Sequence, residues 1–204
     1  MVSLVKVFAT LVLVFLAGCG KDLDVDCKAA ETVSTSLKQT VVVGPSVRPL
    51  KVYSDLQPAN SVALPGQIVP FTTVTFVAPG EDTVIDSVLV ERTGYSLNTP
   101  FLGVVMLDQN GKQIGKSEPL NPITSQALLR GPFLVPGGGK PAMFFVAGVM
   151  ANDLAQFGGQ VAALNVVDVY PANTVVVGEL PLKGAAHTIS GCCYHPKTQL
   201  KYVP

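Results

Sequence analysis

The sequence predicts an all-β chain whose strands pack as an antiparallel sandwich, and three observations carry that prediction. Short β-branched and aromatic runs recur from Thr40 onward, Pro and Gly punctuate them (16 Pro and 19 Gly in the chain), and strands never alternate with helix-length amphipathic stretches. Evenly spaced short strands with turn residues between them are the pattern of two packed antiparallel sheets, immunoglobulin-like or jelly-roll in type, whereas a doubly wound α/β fold needs the missing helices.

The expected strands, in order, are Val41–Val43, Leu50–Tyr53, Ser61–Leu64, Ile68–Val77, Thr83–Arg92, Phe101–Leu107, Gln113–Lys116, Ala127–Leu134, Ala142–Met150, Val161–Tyr170, Thr174–Gly178 and Ala186–Ile189. In Thr83–Arg92 the alternation breaks at Asp86-Ser87, as a β-bulge makes it do. Residues 107–112, LDQNGK, read as a hairpin, because Asn-Gly adopts the positive φ angles of a tight turn. They do not complete a calcium loop, since Met106 precedes where an oxygen donor is needed and Pro119 stands where a bidentate Glu belongs. Residues 141–150, PAMFFVAGVM, are apolar on both faces, which suits a central strand covered on both sides. Leu56–Val62 (LQPANSV) echoes Val169–Val175 (VYPANTV); if the two mark equivalent entry points of modules, residues 55–170 form one sandwich and 171–190 supply a final strand.

The start of the chain has another character. After Lys6, residues 7–16 (VFATLVLVFL) form an apolar run too short for the roughly 20 residues of a membrane-spanning helix but right for a secretory signal. It ends in Leu16-Ala17-Gly18-Cys19, which resembles the lipobox of bacterial lipoproteins over all four positions. The resemblance implies that the Cys19 thiol receives a diacylglycerol, that the chain is cut just before it, and that the new amino group is acylated. Each buried CH₂ contributes roughly 0.8 kcal/mol, so two or three acyl chains hold where one holds only marginally. The expected organisation is therefore a signal peptide at 1–18, a lipid-anchored polar tether at 19–39, a sandwich at 40–190, and a C-terminal tail at 191–204. The expected location is the bacterial cell envelope, facing the periplasm or the exterior.

The chain carries 14 basic and 14 acidic residues, and its 14% charged content is well below the roughly 25% of ordinary soluble domains. No Lys/Arg cluster exists, so nucleic acid is not an expected partner. A neutral-polar surface with few charges suits a protein that sits against something: a cell-wall polymer, a glycan, another envelope protein or a further copy of itself.

Cys27, Cys192 and Cys193 are disulfide candidates in an oxidising compartment. One of the adjacent pair joined to Cys27 would tie tether to tail and leave a thiol for an intermolecular bond. The weaker alternative is a soft-metal site, because Cys192, Cys193, His195 and His187 fall within nine residues, although their spacing fits no standard zinc unit. No cofactor is expected.

Catalytic signatures fail one by one. There is no GxSxG, HExxH or Walker frame, and GGGK at 137–140 reads as a turn before a strand. Glu81, Asp82, Asp86 and Glu91 are the carboxylates that glycoside chemistry would have to draw on, and acids at strand ends are ordinarily solvated. The expectation is a non-enzyme.

The succession of GED at 80–82, VLVERTG at 88–94, VMLDQNG at 105–111, VPGG at 135–138, GGQ at 158–160, GELPL at 178–182 and HTI at 187–189 resembles β-sandwich modules of bacterial secreted and surface proteins. The resemblance implies an adhesive or structural envelope role and carries over no catalytic residue. Two other roles stay open: a self-assembling subunit, in which residues 40–54 add as a strand to a neighbour by β-augmentation, and a glycan- or metal-binding module.

Overall fold

A computed structural model describes residues 48–191. Signal segment, tether, the expected strand at Val41–Val43 and the tail from Cys192 onward lie outside the described residues.

Eleven strands follow one another: β1 Leu50–Tyr53, β2 Val62–Ala63, β3 Ile68–Val77, β4 Thr83–Thr93, β5 Phe101–Leu107, β6 Gln113–Glu118, β7 Gln126–Val135, β8 Pro141–Met150, β9 Val161–Pro171, β10 Val176–Gly178 and β11 His187–Ile189. They form a six-stranded sheet in the order β10-β1-β3-β8-β5-β6 and a five-stranded sheet in the order β2-β11-β9-β4-β7. One 3₁₀ turn, Ala155–Phe157, interrupts the strand pattern.

The fold is the all-β sandwich that the strand spacing predicts, with one revision. Two pairings are parallel, β1 with β10 and β2 with β11, so the sheets are mixed rather than wholly antiparallel. The reason is topological. The chain crosses from the six-stranded to the five-stranded sheet twice along the same edge, once between β1 and β2 and once between β10 and β11. Both excursions run in the same direction, so their strands lie side by side in parallel. The echoed PAN segments sit where the chain enters β2 and β10, the short strands that end the two sheets on that edge. They mark edge strands of one sandwich, not successive modules, since β1 precedes residue 55 and residues 171–190 supply two strands instead of one.

Between the sheets lies a continuous core in which Leu50, Phe71, Phe76, Ile85, Met106, Leu129, Phe133, Met150, Leu154, Leu164 and Ile189 are fully buried. The apolar doubling of β8 is realised. Phe144, Val146 and Met150 face the core, while Ala147 is buried on the opposite face beside Val105 and Leu107, with Phe145 and Val149 half-buried around them. The expected bulge is present in β4, where the register with both neighbours slips between Ile85 and Ser87.

Edges are closed by side chains as well as strands. Beyond Tyr53 the backbone of β1 stops pairing with β3, and the Gln57 amide takes over: its Oε1 accepts the Thr73 N–H at 2.9 Å and its Nε2 donates to the Thr73 carbonyl at 3.2 Å. Further along, the segment before β11 plugs the same side, with Leu182 bridged to Val166 and Ala185 N–H donating to the Phe71 carbonyl. Leu50–Tyr53, part of the stretch considered for strand donation, is thus paired inside its own chain.

Strand directions define two ends. Arg48, where the described chain begins, shares one end with loops 78–82, 108–112, 136–140 and 172–175; loops 64–67, 94–100, 119–125 and 151–160 share the other with Gly191.

Candidate functional site

The two ends differ in chemistry. The end that includes Arg48 also carries Glu81, Asp82, Asp108, Lys112 and Lys140, and a cleft of about 960 Å³ opens there between Arg48, residues 78–84 and residues 172–174. Arg48 donates from Nη1 to the Pro79 carbonyl at 3.3 Å, Asp82 accepts the Gly137 N–H at 2.8 Å, and Thr174 donates to the Arg48 carbonyl at 2.8 Å. Carboxylate, guanidinium, hydroxyl and amide thus meet at one rim, a mixture suited to a small polar ligand. The rim does not gather all the carboxylates noted in the sequence. Glu91 lies at the far end of β4, and at about 3.3 Å per residue it is roughly 30 Å from Asp82, well beyond the separation of paired glycosidase acids.

The loops of the far end carry almost no charge, although Glu91, Arg92 and Glu118 lie on the strand ends beside them. Asp153 is the single charged residue in loops 64–67, 94–100, 119–125 and 151–160. Its apices hold large apolar side chains out in solvent: Tyr95 is 94% exposed, Ile123 is 91% exposed, and Leu64, Ile68, Leu97 and Leu102 are exposed around them. Exposed apolar residues scattered singly mean little, whereas several on one end, on connected loops, define a surface.

The connection is a polar network centred on Arg92, near the end of β4. Its Nε donates to Asn98 Oδ1 at 2.9 Å, its Nη2 to Ser125 Oγ at 3.0 Å and its Nη1 to the Gly94 carbonyl at 3.3 Å. Asn98 Nδ2 in turn donates to the Asn121 carbonyl at 3.1 Å. Burial lowers the Arg92 pKa from its ordinary value, the neighbouring Glu91 charge opposing. Asn121 organises the turn beneath Ile123 by accepting, at Oδ1, the N–H groups of Ile123 at 2.9 Å and Thr124 at 3.1 Å. Gly94 is required below Tyr95: its φ is +94°, and a Cβ there would lie 2.4 Å from the Val161 carbonyl oxygen. Two loops therefore present Tyr95 and Ile123 from a fixed base.

Of the site residues read from the sequence, Cys19, Cys27, Cys192, Cys193 and His195 lie outside the described residues. His187 is described and is fully committed. It is 1% exposed on β11. Its Nδ1 accepts the Ser61 N–H at 2.9 Å with the Ser61 hydroxyl at 2.8 Å, its Nε2 faces the Pro70 carbonyl at 3.0 Å, and the Phe71 ring meets it edge-on at 4.5 Å. A backbone N–H only donates, so the ring proton sits on Nε2, where it donates to Pro70. Both ring nitrogens are thus engaged within the sandwich, while Cys192, Cys193 and His195, grouped with His187 in the sequence, lie outside the described residues. Among the described residues no cluster of three or more metal-ligating side chains is present.

Tyr95, Leu97, Ile123 and Arg92 were not singled out in the sequence as site residues. The available signal was the near-absence of charge in four loops that the topology gathers at one end, which no linear window displays.

No family model matches the chain, and no curated protein matches it. Among solved structures, it is similar to one described as a family 123 glycoside hydrolase from Clostridium perfringens that hydrolyses glycolipid glycans. The identity is 9%, the TM-score is 0.28, and the match covers 71% of this chain and 27% of that one.

Proposed function

We propose that the protein is a lipid-anchored envelope component that works by contact, holding a sandwich at the cell surface or in the periplasm and presenting its uncharged end to a partner. The observation that supports this reading most is the polarity of the sandwich. Arg48 and the charged loops stand at one end, and the exposed apolar apices Tyr95 and Ile123 stand at the opposite one.

The composition of that end fits contact. Aromatic and aliphatic apices surrounded by Asn, Gln, Ser, Thr and Gly, with Lys and Glu depleted, are the makeup of recognition surfaces. The Arg92 network restrains the loops before any partner arrives, which reduces the ordering cost of association.

Membrane fractionation tests the anchor. Wild-type chain expressed in a bacterial host should pellet with membranes, and Cys19→Ser should move it to the soluble fraction with its diacylglycerol mass absent from the N-terminal peptide. Unchanged membrane association of Cys19→Ser would sink the anchor reading.

A further inference from the structure

The cleft at the Arg48 end plays no part in contact through the opposite end, and its chemistry selects one class of ligand. We propose that it binds a small zwitterion of the size of a short peptide, with the ligand carboxylate on Arg48 and the ligand ammonium on Glu81.

Three stretches that stand out in the sequence, Gly80-Glu81-Asp82, Gly137–Gly139 and Pro171–Asn173, meet at the cleft or directly behind its wall. Glycine backbone fixes the first of them. The N–H groups of Gly137, Gly138 and Gly139 donate to Asp82 Oδ1 at 2.8 Å, the Gly80 carbonyl at 2.7 Å and the Ala78 carbonyl at 2.8 Å. A Cβ at Gly137 would lie 2.4 Å from the Gly80 oxygen, so only glycine lets the two loops close this far. On the other side, the Ala172 N–H donates to the Val84 carbonyl at 3.0 Å and the Thr174 hydroxyl to the Arg48 carbonyl at 2.8 Å. Both walls are set before a ligand enters, which lowers the ordering cost of binding.

Within this frame stand one cation and two carboxylates, and no ion pair joins them among the described residues. Asp82 is spent on Gly137. The Glu81 carboxylate has no partner among the described residues, and Arg48 uses Nη1 on Pro79 while its Nε and Nη2 donors remain open. Every other class of small ligand meets a mismatch here. An anion such as phosphate gains Arg48 but faces Glu81 and Asp82, and a cation gains the carboxylates but faces Arg48. A neutral saccharide leaves both charges unanswered, and no aromatic ring among the described residues lines the cleft to stack on it. A zwitterion pairs each open charge with its opposite through charge-assisted hydrogen bonds. The Asn173 side chain, on the rim and without a partner among the described residues, supplies donor and acceptor for a peptide group between the two termini. The volume of about 960 Å³ suits a short peptide better than a single amino acid.

NMR titration of the full chain carrying Cys19→Ser with alanyl-alanine, with its N-acetyl form and with its C-terminal amide tests the proposal. The unblocked dipeptide should bind with a Kd of about 1 mM or below and shift amides of residues 78–84 and 172–174, and each blocked form should bind about tenfold more weakly. Arg48 and Glu81 are both exposed, so their replacement leaves the core intact. Glu81→Gln should weaken the unblocked dipeptide to the level of the N-acetyl form without further weakening that form, and Arg48→Gln should do the same with respect to the amide. Absence of binding up to about 10 mM overturns the proposal. So does equal binding of the N-acetyl form, which marks an anion site, or of the amide, which marks a cation site. Shifts confined to residues outside the cleft overturn it as well.

Discussion

A single histidine joins the two sheets. His187 belongs to β11 of the five-stranded sheet, yet its Nε2 donates to Pro70 on β3 of the six-stranded one, at a bulge where the register with β8 slips between Pro70 and Thr72. At this slip the Pro70 carbonyl accepts from the imidazole. Replacing His187 with Ala removes that link, strands the Ser61 N–H and opens a cavity beside Phe71. The expected loss is about 3 kcal/mol of unfolding free energy, measured by urea denaturation. A change below about 0.5 kcal/mol would show that the ring contributes no more than a surface residue. The sequence places this histidine near two cysteines and so invites a metal reading; packing turns it inward, toward residues more than a hundred positions earlier. Arg92 is obscured in the same way, because its partners Asn98 and Ser125 come from different loops.

The hairpin between β5 and β6 shows what an element determines locally. Gly111 adopts φ +77°, its N–H donates to the Asp108 carbonyl at 2.9 Å, and the Asp108 side chain accepts the N–H groups of Asn110 and Lys112, each at 2.8 Å. These bonds, that from Lys112 foremost, hold the Asp108 carboxyl below its ordinary pKa, with desolvation opposing. The sign follows from that direction. The folded turn favours the ionised form, so its contribution is complete above the ordinary carboxylate range and is lost as pH falls through the lowered value. In an NMR titration the Asn110 and Lys112 amide shifts should hold steady through the ordinary aspartate range and move only below it; movement centred on the ordinary value would contradict the assignment. This turn was readable in the sequence because every interaction spans at most four residues. The edge strands were less so: β2 and β10 run shorter than their β-branched sequences suggest, since pairing on only one side decides where such strands stop.

At the scale of the whole molecule, closure depends on pairs far apart in the chain. β1 lies beside β10 with Leu50 opposite Val176, and β2 lies beside β11 with Val62 opposite Thr188. A chain ending at Ala186 loses β11, leaves β2 without its partner and exposes the edge of β9. That truncation should abolish the cooperative thermal transition in circular dichroism, whereas a chain ending at Gly191 should keep it; a cooperative transition in the shorter chain would show that β11 is dispensable. The sequence by itself determined the strand ladder, the β4 bulge, the Asn-Gly hairpin and the doubly apolar β8, because side-chain alternation and turn chemistry act over a few residues. Only the tertiary structure decided the parallel edge pairings, the inward His187 and the gathering of four nearly uncharged loops at one end. Those depend on which strands become neighbours, and that is settled by burying a shared core rather than by any stretch of chain alone.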